Sequence, residues 1–164
     1  MSAGPKKNAG ISELQRGKNK MTQGLLVGTD CSDCSNRALD YASRWAKTSD
    51  LEMIVVYVVE WSSFSFNTPQ ENEQRHKRRE EELQRAHEQI IDPILEKLNG
   101  EGIRARGVIR HGHPAETLDA VARELDVSNI IIGRKGRSAI IAKLFGSVAS
   151  TLVQISDRPV TVVP

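Results

Sequence analysis

The sequence predicts an α/β fold, a five-stranded parallel sheet with helices on both faces, of the Rossmann-like type. Short apolar runs alternate with segments whose apolar residues recur at helical spacing, in the order β-α-β-α-β-α-β-α-β. Right-handed crossovers between parallel strands place the helices on both faces of such a sheet. The 164 residues, 38% of them apolar and 27% charged, suit one domain with a single core.

The first strand and helix lie in residues 24–47. Residues 24–30 form a short run that is apolar on both faces, which is typical of a buried strand. Residues 35–47 form the first helix, which Ser35 or Asn36 can cap. The apolar residues of that helix recur at helical spacing: Ala38, Leu39, Ala42, Trp45 and Ala46.

The second strand and the longest helix follow. Residues 51–60 are rich in Val and Ile and predict a strand, and residues 61–69 predict a loop. Residues 70–99 predict an amphipathic helix, which Asp92–Pro93 kinks or restarts and Asn99–Gly100 ends. Its apolar stripe consists of Leu83, Ala86, Ile90, Ile94 and Leu98.

The last third of the chain repeats the alternation. Residues 103–110 predict a strand, and residues 111–126 predict a helix with a proline in its first turn. Residues 127–133 predict a buried strand, residues 147–156 a helix and residues 159–164 a short final strand.

Charge and composition exclude several classes of protein. Residues 1–20 contain five basic residues and one acidic residue, a net +4, so the rest of the chain carries −2 of the total +2. We therefore expect a flexible basic arm or leader at 1–21 and a folded domain at 22–164, with no basic surface for nucleic acid. No apolar run approaches the ~20 residues that span a bilayer, and no secretory signal is visible. We expect a cytoplasmic protein without membrane insertion.

A glycine-rich segment follows the fourth predicted strand. Gly133, Gly136 and Gly146 are spaced so that two and then nine residues separate them, and Ser147 comes next. Glycine admits a positive φ and a close approach of the backbone to a ligand, and a helix N-terminus attracts anions. The segment therefore predicts a phosphate-binding loop, in which Ser147 caps the helix or donates its hydroxyl. The cations available are Arg134, Lys135 and Arg137.

Alternatives remain open at this point. The three glycines can simply make turns, and the spacing is neither the Walker pattern nor the Gly-x-Gly-x-x-Gly dinucleotide fingerprint. Asp30, which follows a strand, can simply cap the next turn.

Several separated motifs together resemble the universal stress protein family, in its nucleotide-binding branch. That branch carries Gly-x2-Gly-x9-Gly-Ser/Thr, which the glycine segment matches without a change of spacing. Residues 28–32 resemble the family's first strand end, residues 57–60 its second, and residues 112–114 its Gly-x-Pro turn into a helix. The ending of residues 158–164 is also similar. The resemblance spans about residues 22–164.

The resemblance implies the adenine nucleotide alpha hydrolase-like fold, with ATP, or AMP or ADP, at the tips of strands one and four. It also implies a Mg²⁺ or Mn²⁺ ion beside the phosphates. Thr29 and Asp30 would lie beside the adenosine, and the main chain of Val58 would contact the adenine edge. The residues implied to bind the nucleotide are Gly28, Thr29, Asp30, Val58, Ile132, Gly133, Arg134, Gly136, Gly146, Ser147, Val148 and Ala149. Ala149 stands where some members have Thr or Ser, so one hydroxyl contact is absent.

The function implied by the resemblance is that of a nucleotide-dependent regulatory or signalling module. Such a module would dimerise through its last strand, residues 159–164, and act on an unidentified regulatory protein partner. The alternative is a slow ATPase or an autophosphorylating enzyme, although no general base for the γ-phosphate is evident. An electron-transfer or nucleotide alpha hydrolase relative of the same fold ranks last.

Other signals have simpler interpretations. Cys31 and Cys34 have the spacing of redox motifs, but cysteines that pack beside the ligand are the favoured interpretation. His111 and His113 lack a third ligand at a spacing that fits zinc. The charged run at 75–82 is most simply a solvated helix face.

Overall fold

The computed structural model describes residues 24–60, 69–137 and 145–164, with the side chains of residues 69–76 excepted. The predicted arm at 1–21, most of the predicted loop at 61–69 and the middle of the glycine segment lie outside these ranges. Those predictions stay predictions. Pro69, which was assigned to the loop, is the first residue of a helix.

The described residues form the predicted α/β sheet, with all strand pairings parallel. The strands are β1 (Gly24–Thr29), β2 (Glu52–Glu60), β3 (Ala105–Gly112), β4 (Asn129–Gly133) and β5 (Val160–Val163). The helices are α1 (Asp33–Ser49), α2 (Pro69–Ala86), α3 (Asp92–Gly100), α4 (Pro114–Glu124) and α5 (Ser147–Ile155). A π-helical turn, His87–Ile91, joins α2 to α3. The predicted fold class is thus confirmed.

The strand order is β3-β2-β1-β4-β5, which makes β1 the centre of the sheet. In β1, Leu25 pairs with Met53 of β2 on one side and with Asn129 of β4 on the other. The chain moves outward from β1 to β2 and β3, then returns to add β4 and β5 beside β1. The order of the strands therefore switches between β1 and β4, which is where ligands bind in open parallel sheets.

Two hydrophobic cores cover the two faces of the sheet. On one face, α1 and α3 pack against alternate strand residues that include Leu25, Val27, Met53, Val55 and Ile131. On the other face, α4 and α5 pack against the intervening residues, which include Leu26, Ile54, Val56, Ile130 and Ile132. Because strand side chains alternate between faces, these β-branched and leucine runs can be apolar at every position.

The N-terminus of α1 differs from the prediction. The capping residue is Ser32, whose Oγ accepts the Ser35 N–H at 3.2 Å, and neither Ser35 nor Asn36 caps the helix. Ser35 is instead buried and donates its hydroxyl to the Ser32 carbonyl at 2.9 Å. The helix therefore starts two residues earlier than its apolar periodicity indicates.

The long charged helix also differs in one respect. Ile91 is fully buried, whereas Ile90, which the stripe predicted to face the core, is only half-buried. The π-helical turn adds a residue before the predicted restart at Asp92–Pro93, so the inward face moves on by one position. Ile91 packs directly against Gly107 of β3, where a Cβ would clash with the isoleucine side chain.

No helix in the described ranges is both long and apolar enough to cross a membrane.

Trp45 is half-buried against the core that α1 covers and makes an edge-to-face contact with Tyr41, with ring centroids 6.2 Å apart. The prediction that Trp45 belongs to the core is therefore confirmed.

Candidate functional site

A cavity of about 420 Å³ lies at the carboxyl ends of β1, β2 and β4. The chain leaves β1 toward α1 on one face and leaves β4 toward α5 on the other, so the two connections open a crevice between them. The volume falls within the usual range for small-molecule pockets, roughly 300–1,000 Å³.

Every residue that the sequence singled out as a nucleotide contact lies on the wall of this cavity. They are Gly28, Thr29, Asp30, Val58, Ile132, Gly133, Arg134, Gly136, Gly146, Ser147, Val148 and Ala149. The set is drawn from three strands, the two connections that follow β1 and β4, and the start of α5, so it is the fold that brings these residues together.

The two sides of the cavity differ in chemistry. Beside β2 and α4 the wall includes the apolar residues Val56, Leu118 and Pro114, and the polar residue Glu60 lies at the end of β2. Beside β4 and α5 it carries three basic residues and the N-terminus of a helix. The basic residues are Arg134, Lys135 and Arg137. One side thus suits an apolar ring, and the other suits an anion.

The three glycines of this segment serve close packing and do not use the positive φ that glycine admits. None of them has a φ in the left-handed region. A Cβ on Gly133 would lie 2.6 Å from the main-chain carbon of Cys34, and one on Gly136 would lie 2.7 Å from Asp30 Oδ2. A Cβ on Gly146 would touch the Arg134 carbonyl oxygen at 3.4 Å. The glycines therefore let the loop lie against α1 and against itself.

Asp30 holds the glycine loop to the end of β1. Its Oδ1 accepts the Ser32 N–H at 3.0 Å, and its Oδ2 accepts the Arg137 N–H at 2.9 Å. Ser32 adds a second link, since its hydroxyl lies 3.4 Å from the Lys135 carbonyl oxygen and donates to it. Asp30 does make the predicted turn with Ser32, but its other oxygen reaches across to the far loop.

The charge on Asp30 is stabilised by these contacts. Burial acts to raise the pKa of the carboxyl, but hydrogen bonds from Ser32 and the Arg137 N–H outweigh it and hold the pKa below 3.8. Burial raises the pKa of the neighbouring Tyr57 hydroxyl and of the Cys31 thiol above their ordinary values. At neutral pH the site therefore contains a carboxylate beside neutral phenol and thiol groups.

The N-terminus of α5 faces the same cavity. Gly146, not Ser147, is the capping residue, and its N–H donates to the Arg134 carbonyl at 2.8 Å. Of the two roles predicted for Ser147, the helix cap is therefore wrong, and the donation of its exposed hydroxyl stays a prediction. The N–H groups of the first helical turn, at Ser147, Val148 and Ala149, have no acceptor within the helix. These N–H groups are the ones placed to meet an anion.

Sequence reasoning missed several residues of the wall. Ser35 lies on the wall, and together with Ser32 it shapes the turn between β1 and α1 through contacts that no local pattern specifies. Glu60 ends β2 at the cavity, and Phe145, 43% exposed, lies just before the Gly146 cap. The motif at residues 57–60 pointed to Glu60, whereas nothing in the sequence indicated Phe145.

The described residues contain no group of three His, Cys, Asp or Glu side chains that could hold a metal ion.

Cys31 is an exposed free thiol and Cys34 is a half-buried free thiol. The interpretation of both as packing cysteines therefore fits Cys34 only.

Comparison with known sequences gives one consistent result. Residues 21–164 match the universal stress protein family. Universal stress protein YxiE of Bacillus subtilis is 31% identical over 148 residues, which cover 85% of this chain and 97% of YxiE. Universal stress protein MT2052 of Mycobacterium tuberculosis is 29% identical over 153 residues, which cover 86% of this chain and 48% of that protein. The chain thus spans about half the length of this mycobacterial relative.

Solved structures have the same fold. The hypothetical protein MJ0577 superposes with a TM-score of 0.75 at 24% identity, covering 87% of this chain and 96% of that one. A universal stress protein in complex with cAMP has a TM-score of 0.57 at 24% identity, covering 87% and 96%. The universal stress protein of Archaeoglobus fulgidus in complex with dAMP has a TM-score of 0.58 at 18% identity, covering 88% and 99%. With the match over residues 21–164, these findings show that this chain belongs to the universal stress protein family.

Proposed function

We propose that this chain binds ATP, or the related AMP or ADP, in the cavity at the carboxyl ends of β1 and β4, and acts as a nucleotide-dependent regulatory module. The observation that carries the proposal is the division of the cavity into an apolar side and a cationic side that includes a helix N-terminus. A nucleotide has the same division between its base and its phosphates.

The division gives the nucleotide one orientation. The adenine ring would lie between Val56 and Leu118, with its edge at the main chain of Val58, and Thr29 and Asp30 would lie beside the adenosine. The phosphates would meet the N–H groups at the start of α5 and the hydroxyl of Ser147. The related structures that hold cAMP and dAMP support an adenine nucleotide as the class of ligand.

A Mg²⁺ or Mn²⁺ ion would accompany a bound triphosphate. Magnesium usually keeps several waters and binds through substrate phosphates with one or two carboxylates. The carboxylates on the described wall are Asp30 and Glu60. Both oxygens of Asp30 already accept hydrogen bonds, so the nucleotide phosphates and water would supply most of the ligands of the ion.

The same carboxylates bear on the alternative of a slow ATPase. A general base should have a pKa near the working pH. The lowered pKa of Asp30 makes its carboxylate a weak base, and its two acceptor oxygens are engaged. Asp30 is therefore poorly suited to act as a general base, which supports binding over hydrolysis. The regulatory output would come from residues 134–145, of which 138–144 lie outside the described residues.

Dimerisation through the last strand is part of the proposal. β5 is at one edge of the sheet and is only half-buried along its whole length. Beside it, Val153 and Ile155 of α5 are 57% and 42% exposed. An apolar edge of this kind can pair with a second copy of itself, or with a strand of a regulatory partner.

Calorimetric titration of the protein with ATP and MgCl₂ tests the binding. We expect saturable binding of one nucleotide per chain, which Gly146→Val abolishes because the added methyl groups press on the Arg134 carbonyl, 3.4 Å from the Cβ position. Gly100→Val is the matched control and should bind as the unchanged protein does, because a Cβ at Gly100 meets no atom within 4 Å.

Absence of binding to the unchanged protein, or full affinity in Gly146→Val, would overturn the assignment of this cavity. Phosphate release measured on the same samples addresses the alternative. Turnover above background that Ser147→Ala removes would make the chain an enzyme.

A further inference from the structure

We propose that Cys31 and Cys34 form a redox-active dithiol beside the nucleotide cavity, next to its lining residues Asp30 and Gly133, and that a small-molecule disulfide such as oxidised glutathione converts it to an intrachain disulfide that weakens nucleotide binding. The dithiol itself is independent of the proposed function. The effect on nucleotide rests on that function, so the two are tested separately.

The two thiols have complementary positions. Cys31 is exposed and precedes Ser32, the capping residue of α1. Cys34 is half-buried in the first turn of that helix, where the Arg37 guanidinium donates to its Sγ at 2.9 Å. An exposed thiol ahead of a helix and a sheltered thiol three residues later is the arrangement in which one cysteine meets the oxidant and the other closes the bond.

The backbone at Cys31 adds a further reason. Its φ is 62°, in the left-handed region that residues with a Cβ rarely adopt. The turn it makes is held by a weak hydrogen bond, from the Cys31 N–H to Thr29 Oγ1 at 3.3 Å. A strained and weakly held residue can change conformation at low cost when a new bond demands it.

The reaction balances as two thiol–disulfide exchanges. Because burial raises the pKa of the Cys31 thiol, only its minor thiolate form reacts at neutral pH. That thiolate attacks one sulfur of the small disulfide, whose S–S bond breaks, and the departing small thiolate takes up the proton that Cys31 lost. The Cys34 thiolate, beside the positive charge of Arg37, then attacks the Cys31 sulfur of the mixed disulfide and releases the second small thiol. The protein loses two protons and two electrons, and one small disulfide takes them up and becomes two thiols.

Both cysteines contact the glycine loop or its anchor. Gly133 packs so closely on α1 that a Cβ there would lie 2.8 Å from the Cys34 Cβ. Cys31 directly follows Asp30, whose Oδ2 holds the Arg137 N–H at 2.9 Å. Bringing the sulfurs of Cys31 and Cys34 together would therefore displace Gly133, Arg137 or both.

Mass spectrometry of the full chain in glutathione buffers of rising oxidised fraction tests the dithiol. We expect both thiols to disappear together with the loss of two hydrogens and no attached glutathione. Cys31→Ser and Cys34→Ser should each acquire one glutathione at the remaining thiol instead. Glutathione adducts without an internal bond in the unchanged protein, bonds between chains, or two persistent thiols would each overturn the dithiol.

Titration with ATP before and after oxidation tests the coupling. We expect the affinity to fall about tenfold, as the loss of one charge-assisted hydrogen bond would give, and to return on reduction. The Cys31→Ser/Cys34→Ser double variant should bind equally in both buffers. An internal disulfide that leaves ATP affinity unchanged overturns the coupling. The thiol measurement needs no nucleotide, so its result stands apart from that of the proposed function.

Discussion

Substituting alanine for Gly136 tests whether Asp30 holds the phosphate loop in its binding form. The added Cβ would lie 2.7 Å from Asp30 Oδ2, well inside van der Waals contact. That oxygen accepts the Arg137 N–H at 2.9 Å. The methyl group and the hydrogen bond cannot both be accommodated, so the carboxylate must turn away and release the loop.

The size of the effect follows from the bond that is lost. A hydrogen bond to a charged acceptor contributes roughly 1.5–3 kcal/mol. Asp30 is only partly buried, so water can replace part of the lost hydrogen bond, and the lower end of that free-energy range applies. About 1.5 kcal/mol corresponds to a fall of about tenfold in ATP affinity, if the ordered loop is the form that binds.

A double-mutant cycle with Asp30→Ala, measured by calorimetric titration with ATP and MgCl₂, separates the clash from other effects. Asp30→Ala removes both the obstacle and the hydrogen bond, so adding Gly136→Ala to it should change little. Gly100→Ala is the control, because a Cβ at Gly100 meets no atom within 4 Å. Independent, additive losses in the double variant, or full affinity in Gly136→Ala, would show that Asp30 does not hold the loop.

Three further predictions concern pH, assembly and stability. The lowered pKa of Asp30 means that its contribution is fully present above pH ~4 and is lost as pH falls through its folded pKa. We therefore expect the unfolding free energy of Asp30→Asn to differ from that of the unchanged protein at pH 7, and the difference to shrink at pH 3 in denaturant titrations; a difference independent of pH contradicts this. The Val163 carbonyl accepts the N–H of Arg134, the residue after β4, so the main-chain polar groups of Val162 face outward. Val162→Pro should therefore yield monomers in sedimentation, while Val162→Ala stays dimeric. Dimers in both variants would exclude pairing through this edge. Gly107→Ala should destabilise the protein by about 1–3 kcal/mol by overpacking against Ile91, yet leave ATP affinity unchanged; thermal unfolding measures the first, and unaltered stability would place Ile91 elsewhere.

The order of the elements was predictable because each element leaves its own local pattern. Valine and isoleucine runs are too apolar for anything but a strand buried on both faces, and β2 follows its predicted run within one residue. The glycine spacing and the position of Asp30 likewise predicted which residues would meet at one cavity. These residues lie at the same edge of the sheet because all the strands are parallel, so the carboxyl ends of the strands meet there.

The errors come from contacts between distant parts of the chain. Periodicity favoured Ile90 as a core residue, but the space left by Gly107 in β3 receives Ile91, and the π-helical turn delivers it there. The sequence allowed a positive φ at Gly136, whereas the feature that excludes a side chain at that position is the carboxylate of Asp30. The two residues are 106 positions apart in sequence, and no local rule relates them.

The hydrogen bonds of Arg134 connect the cavity to the edge of the sheet. Its N–H donates to the Val163 carbonyl at 2.7 Å, which ends the β4–β5 ladder, and its carbonyl accepts the Gly146 N–H at 2.8 Å, which fixes the start of α5. A ligand that moves the α5 cap thus acts on the end of β5 through a single residue. One hydrogen bond contributes roughly 0.5–1.5 kcal/mol net, so a change in it alters pairing at β5 by about two- to thirteenfold. Because coupling is reciprocal, pairing at β5 would tighten or weaken nucleotide binding by the same factor. A larger coupling would require residues 138–144, which lie outside the described residues, to contact the partner directly.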